Sequence, residues 1–128
     1  MIYVDSSVAL AYLFGEGRSP PPDFWNESCV SSGVLEYEVW NRVHARGFGE
    51  TLGNSMTALI AQVRLLEMIP SVLERALQPF PVPVRTLDAL HLATIDFIRR
   101  EGEQVQLASY DKRLSAAAQA LGVPLAVL

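Results

Sequence analysis

The feature that most constrains this chain is the stretch Val84 to Arg100, which reads V-R-T-L-D-A-L-H-L-A-T-I-D-F-I-R-R. Leu87, Leu90, Leu92, Ile95 and Ile98 recur at helical spacing, Ala89 and Ala93 favour helix, and Thr86 can cap its start. Into that apolar face the sequence sets Asp88. Its neighbours one helical turn on are His91 and Leu92, so the carboxylate shares a face with side chains bound for the core. An ionised carboxylate taken out of water without a partner costs several kcal/mol or takes up a proton. The fold must therefore give Asp88 a partner, and the other acids of the chain bear on what it is.

Taken in order, the chain alternates strand and helix signals. Met1 to Val4 is a short apolar run that predicts a buried strand, and Asp5-Ser6-Ser7 is a cap signature leading into the helix V-A-L-A-Y-L-F. Gly15 to Pro22, with three consecutive prolines, predicts a surface loop, followed by a turn around Phe24 and Trp25. Ser28 to Ser31 reads as a second strand. A helix from about Gly33 to Ala45 follows, ending at Gly47 with Arg42 and Arg46 in its last turns. Thr51 to Glu67 reads as another amphipathic helix, forming a hairpin with the previous one, and Leu66 to Ile69 as a third strand. Ser71 to Gln78 reads as a short helix with Ser71 as cap and Glu74 at capping-box spacing, before P-F-P-V-P-V forces an extended linker. Gln104 to Ser109 is a further strand with Tyr110-Asp111 at its exit. Lys112 to Ala120 is a helix stopped by Gly122, and Pro124 to Leu128 an edge strand.

This alternation predicts one α/β domain spanning residues 1–128, with a mainly parallel sheet. Ligands of such sheets lie beyond the carboxyl ends of the strands, at a topological switch point. Asp5 and Asp111 each fall just past a predicted strand and are candidates to face one crevice. The formal net charge of -4 argues against the usual basic nucleic-acid binder, so a nucleic-acid substrate would need a local reversal of sign. Hydrophobic residues make up 50% and charged residues 19%, against roughly 25% charged in typical domains; the tilt fits a large core or an apolar partner surface. Cys29 is the only cysteine, which excludes an internal disulfide or a Cys-based zinc cage and fits a reducing compartment. With no basic leader and no apolar run near membrane-span length, the expected location is cytoplasmic.

Each acid has a plain reading on its own. Asp5 and Asp111 can serve as helix N-caps, and Glu36 and Glu38 can lie on a solvated helix face, where at most one of the two faces the crevice. Asp88 can pair with Arg85 or Arg42. Asp96, near the charged end of its helix, is expected to be exposed. His91 reads first as a helix residue making a structural hydrogen bond and second as a general base near Asp88. His44 reads as a surface residue at a helix end, and Trp25, Trp40 and Phe48 as core or interface.

In combination the acids imply more. Two unit charges about 4 Å apart repel by roughly 4 kcal/mol at an effective dielectric of 20, so several carboxylates sharing a crevice require a cation or protons. All-oxygen ligation selects Mg²⁺ or Mn²⁺ over zinc, and such an ion also supplies the sign reversal an acidic protein needs to meet RNA.

Four segments, M-I-Y-V-D-S-S, S-S-G-V-L-E-Y-E-V, V-R-T-L-D-A-L-H-L-A and A-S-Y-D-K-R-L, resemble in order the four acidic motifs of the PIN domain. The resemblance is to the VapC-like toxins of bacterial and archaeal toxin–antitoxin pairs, and it spans essentially the whole chain. It implies a three-layer α/β/α sandwich around a sheet of four or five strands and a Mg²⁺- or Mn²⁺-dependent endoribonuclease leaving a 5′-phosphate and a 3′-hydroxyl. It implies Asp5, Glu38, Asp88 and Asp111 as the catalytic, metal-binding acids, with Ser6 and Ser109 as hydroxyl support; the spacing within the second motif selects Glu38 over Glu36. It also implies a homodimer held inactive by an antitoxin, whose tail lies near the helical hairpin and can place an arginine at the acids. One departure is the short, Pro-rich loop from Gly15 to Pro22, where many relatives have more helix. Two competing readings are a phosphatase of the haloacid dehalogenase type, with Asp5 as nucleophile, and a PIN-like binding module that has lost catalysis. The first wants a second aspartate two residues on, where Ser7 stands.

Overall fold

The structure, a computed structural model, describes residues 1–128. Four parallel strands form its centre: β1 (Ile2–Val4), β2 (Cys29–Ser32), β3 (Val63–Leu66) and β4 (Gln106–Ala108), in the order β3-β2-β1-β4. Helix α1 (Ser6–Leu13) joins β1 to β2, together with a 3₁₀ turn at Pro22–Asn26. The hairpin of α2 (Val34–Ala45) and α3 (Gly49–Ile60) joins β2 to β3. Then α4 (Pro70–Ala76), a proline-rich linker and α5 (Thr86–Arg100) lead to β4, and α6 (Lys112–Ala120) follows. Parallel strands need such crossovers, since a tight turn cannot return the chain to the same end.

Alternation along the strands builds the layers. Val4, Cys29, Val63 and Ala108 point to one face, where Val8, Leu13, Leu35, Val39, Met56 and Leu59 from α1, α2 and α3 cover them. Tyr3, Val30 and Leu107 point to the other, against Leu92, Ile95 and Ile98 of α5 and Leu114 and Ala118 of α6. The result is the three-layer sandwich expected, with α4 packed on the outside of α5. Gly47 and Gly122 end α2 and α6 at φ +74° and +78°, a conformation a side chain disfavours.

Several boundaries differ from expectation. The helix expected to run to Glu67 stops at Ile60, and Val63–Leu66 is β3, three residues earlier than the strand placed at Leu66–Ile69. Strand β2 leaves a ladder of N–H and C=O groups open at Cys29–Ser32, and Val63–Leu66 fills it residue for residue. That tertiary demand overrides an apolar spacing that also suits helix. Pro70, which tolerates the first helical position, starts α4, so Ser71 lies inside it and no capping box forms. Thr86 likewise is the first helical residue of α5 and Arg85 stands at the cap. Past Pro124 the chain makes one parallel bridge, Leu107 to Leu125, in place of the expected strand.

Candidate functional site

The strand order makes its switch between β1 and β4: the chain steps outward from β1 through β2 to β3, then returns to the far side of β1. The space beyond the carboxyl ends of those two strands, where such sheets take their ligands, is the crevice to which the sequence points. Asp5 follows β1 directly, and its backbone N–H donates to the Ala108 carbonyl at 3.1 Å, stitching it to the end of β4. As N-cap of α1 it accepts from the Ser7 N–H at 3.3 Å. It is 5% exposed and better held than a cap requires, because Ser7 Oγ (2.7 Å) and Ser109 Oγ (2.9 Å) also donate to it. All three donors meet Oδ2, leaving Oδ1 without a protein donor.

The same two hydroxyls bind the exit of β4. Ser7 Oγ accepts from the Tyr110 N–H and Ser109 Oγ from the Asp111 N–H, both at 2.9 Å. Asp111 caps α6 through Oδ1, which accepts from the Arg113 and Leu114 N–H groups at 2.9 and 3.1 Å, and is itself exposed. The role of Ser7 was not singled out from sequence; its position two residues after a capping aspartate was the available sign. Ser6 turns the other way and donates to Glu38 Oε2 at 3.3 Å.

Glu38, in the second turn of α2, is half-buried and reached from below by His91, whose Nε2 lies 2.5 Å from Oε1. His91 is 1% exposed, and its other ring nitrogen meets the Tyr3 hydroxyl at 2.6 Å. It thus makes the structural hydrogen bond that was its first reading. Glu36 is exposed.

Asp88, in the first turn of α5, is the odd member. Its side chain makes no hydrogen bond and no ion pair; Arg42 and Arg85 do not reach it. The helix dipole favours its charge there, yet burial first, then the charges of Asp111 and Asp5, push its carboxyl above the ordinary value, Glu38 adding to the push and His91 opposing it. Asp5, Glu38 and Asp111 are therefore each close enough to Asp88 to oppose its charge, and no lysine or arginine forms an ion pair with any of the four. Asp96, expected to be exposed, is instead half-buried and paired to Arg75 at 2.8 Å.

All-oxygen donors, mutual repulsion and the absence of a protein cation fit a hard divalent ion. No three of the acids stand poised to grip one, so the fit is to an ion held by one or two carboxylates with waters completing its shell, as Mg²⁺ prefers. Beside Glu38 a cleft of about 750 Å³ runs between α1, α2 and the start of α5, lined by Leu10, Tyr37, Trp40 and Leu87. Trp40 there stacks on His44 with ring centroids 5.2 Å apart, while Trp25 is in the core. Arg18, from the Pro-rich loop, lies over the Tyr110 ring at 5.0 Å, one residue from Asp111.

No protein-family model matches the chain. Among curated proteins, it is 32% identical over 126 residues to Ribonuclease VapC46 of Mycobacterium tuberculosis (strain ATCC 25618 / H37Rv), an alignment that covers 95% of this chain and 93% of that protein.

Proposed function

The chain belongs to the VapC-like toxin ribonucleases of the PIN family, and from that premise we propose that it is a Mg²⁺- or Mn²⁺-dependent endoribonuclease, the toxin of a toxin–antitoxin pair, which hydrolyses RNA phosphodiesters to a 5′-phosphate and a 3′-hydroxyl. The observation that carries the metal dependence is Asp88. It is a half-buried carboxylate with no protein partner, crowded by three further acids, and a cation is the partner it lacks. A bound Mg²⁺ or Mn²⁺ supplies charge neutralisation at the phosphate and a water acidified for in-line attack.

In this reading Asp5, Glu38, Asp88 and Asp111 hold the ion between them, directly or through its waters. Ser7 and Ser109 fix Asp5 by occupying Oδ2, which keeps Oδ1 available. Ser6 and His91 fix the two oxygens of Glu38. Arg18, over the Tyr110 ring, and Arg113, exposed in the first turn of α6, in this reading offer phosphate contacts in a protein of net negative charge. The apolar cleft beside Glu38 suits a segment of the antitoxin, with an arginine reaching the acids. A second apolar groove, where Leu73, Leu77 and Val82 are exposed along α4 and the proline linker, suits the partner subunit of a homodimer. No helix is long and apolar enough to cross a membrane, and a cytoplasmic location follows from an RNA substrate.

A second reading, an RNA- or partner-binding module without catalysis, is separated by metal titration: no binding at millimolar Mg²⁺ or Mn²⁺ would favour it. The haloacid dehalogenase reading loses ground, because Ser7 occupies the place of the second aspartate and donates to Asp5. Incubation of a mixed RNA pool with purified protein and Mg²⁺, Mn²⁺ or EDTA, beside Asp88→Asn prepared identically, tests the assignment. Cleavage that needs metal and is lost in the variant is expected. Equal cleavage by both proteins would trace the activity to a contaminant.

A further inference from the structure

Tyr3 and His91 are polar side chains in a place that apolar ones could fill. Tyr3 is fully buried on β1, and His91 is buried on α5, beside Leu92 and Ile95 on the same helix. Tyr3 and His91 lie edge to face, centroids 5.6 Å apart. Their hydrogen bonds run in one direction. The Ser32 N–H donates to the Tyr3 oxygen at 3.1 Å, so the phenol proton is free to be given on, and its acceptor is His91 Nδ1 at 2.6 Å. A neutral ring that accepts at Nδ1 carries its proton on Nε2, the nitrogen that lies 2.5 Å from Glu38 Oε1. Ser6 Oγ holds the other oxygen at 3.3 Å.

We propose that Tyr3 and His91 are positioning residues: a two-membered strut that starts on the backbone of β2, fixes the tautomer of His91, and through Nε2–H sets the orientation of the Glu38 carboxylate for a divalent cation. The reading as an inert buried network explains why the polar atoms are satisfied. It does not explain why the chain of donors ends at a half-buried acid in the crevice. Hydrogen bonds to a ligating carboxylate fix its geometry, and their loss typically weakens metal binding by about 10- to 100-fold. The inference rests on the metal-dependent reading of the site.

The test uses the full chain, with the free Mn²⁺ signal in electron paramagnetic resonance as a direct readout of binding, and long-range ¹H–¹⁵N spectra of the His91 ring as a second readout that needs no metal. In the wild type, the ring is expected to show a protonated Nε2 and a bare Nδ1. His91→Leu removes the donor and is expected to weaken Mn²⁺ binding by about 10-fold or more. His91→Gln, whose amide nitrogen reaches the same position, recovers most of that loss. Tyr3→Phe weakens binding a few-fold and shifts the ring nitrogens toward a mixture of tautomers. A wild-type ring protonated on Nδ1 overturns the strut. So does Mn²⁺ affinity in Tyr3→Phe and His91→Gln equal to that of a folded His91→Leu and of the wild type. Should His91→Leu fail to fold, His91→Gln and Tyr3→Phe carry the comparison. Absence of Mn²⁺ binding by the wild type at millimolar concentration is a different failure: it removes the metal-dependent reading, and the ring spectra alone then decide whether the strut exists.

Discussion

Asp5 and Asp88 lie at one crevice and are held in opposite ways. At the junction of β1 and α1, Asp5 is nearly buried and receives three donors on one oxygen, so its charge is part of what ties β1 to β4. At the start of α5, Asp88 is half-buried, receives none, and has its carboxyl raised by burial and by neighbouring acids. The fold uses the first carboxylate and tolerates the second. A side chain that costs stability where it stands is best explained by what it does there, and the two acids separate on that axis by experiment.

The largest effect is expected from Asp5→Ala, which removes a cap and the acceptor of three donors. It should abolish RNA cleavage and lower stability by about 2 to 3 kcal/mol in urea unfolding. Retained stability would mean that Asp5 and Asp88 are alike after all. Asp88→Asn should lower cleavage on the order of 100-fold or more while raising the melting temperature at neutral pH by roughly 2 °C, the size of a sub-kcal/mol gain in a domain of this length. A fall in melting temperature would break the contrast. Glu38→Gln is expected to reduce cleavage at least 10-fold and Glu36→Gln to leave it within two-fold, measured on one RNA; equal losses would reverse the choice between them. Ser7→Ala should cost about 1 to 2 kcal/mol and move cleavage only a few-fold, since Ser109 still holds Asp5.

The smallest effect is in pH. A carboxyl whose folded value is raised binds its proton more tightly folded than unfolded, so its penalty is present when it is ionised and is relieved as pH falls through the folded value. The stability advantage of Asp88→Asn over the wild type should therefore be full at neutral pH, shrink on acidification and vanish below the ordinary aspartate value of 3.8. A pH-independent advantage in thermal melts would assign it to packing instead of charge.

Much of this site could be read along the sequence because local rules carried it. Asp5 and Asp111 are helix caps just past strands, and that double position announces the crevice. Asp88 stood out because its own helix could not account for it. What could not be read is what depends on distant neighbours. The residues Val63–Leu66 suit helix or strand, and only the open ladder of β2 decides. Ser7 matters through Ser109 and Tyr110, more than a hundred residues away, and Tyr3 meets His91 at a separation of 88. The expected caps Thr86 and Ser71 give way to residues one and two positions earlier, because Arg85 and Ile69 carry the extended backbone from which each helix turns.

The strand order has a consequence in time. β1 is made first, and its neighbour β4 is made last of the four. A growing chain can pair β1 with β2 early, but Asp5 has no Ser109 and the crevice has no far wall until translation has passed residue 109. For an enzyme proposed to cut RNA, the consequence is that the ribosome and message producing it face no assembled site until most of the domain has been read out, and a chain abandoned midway lacks β4, Ser109 and Asp111.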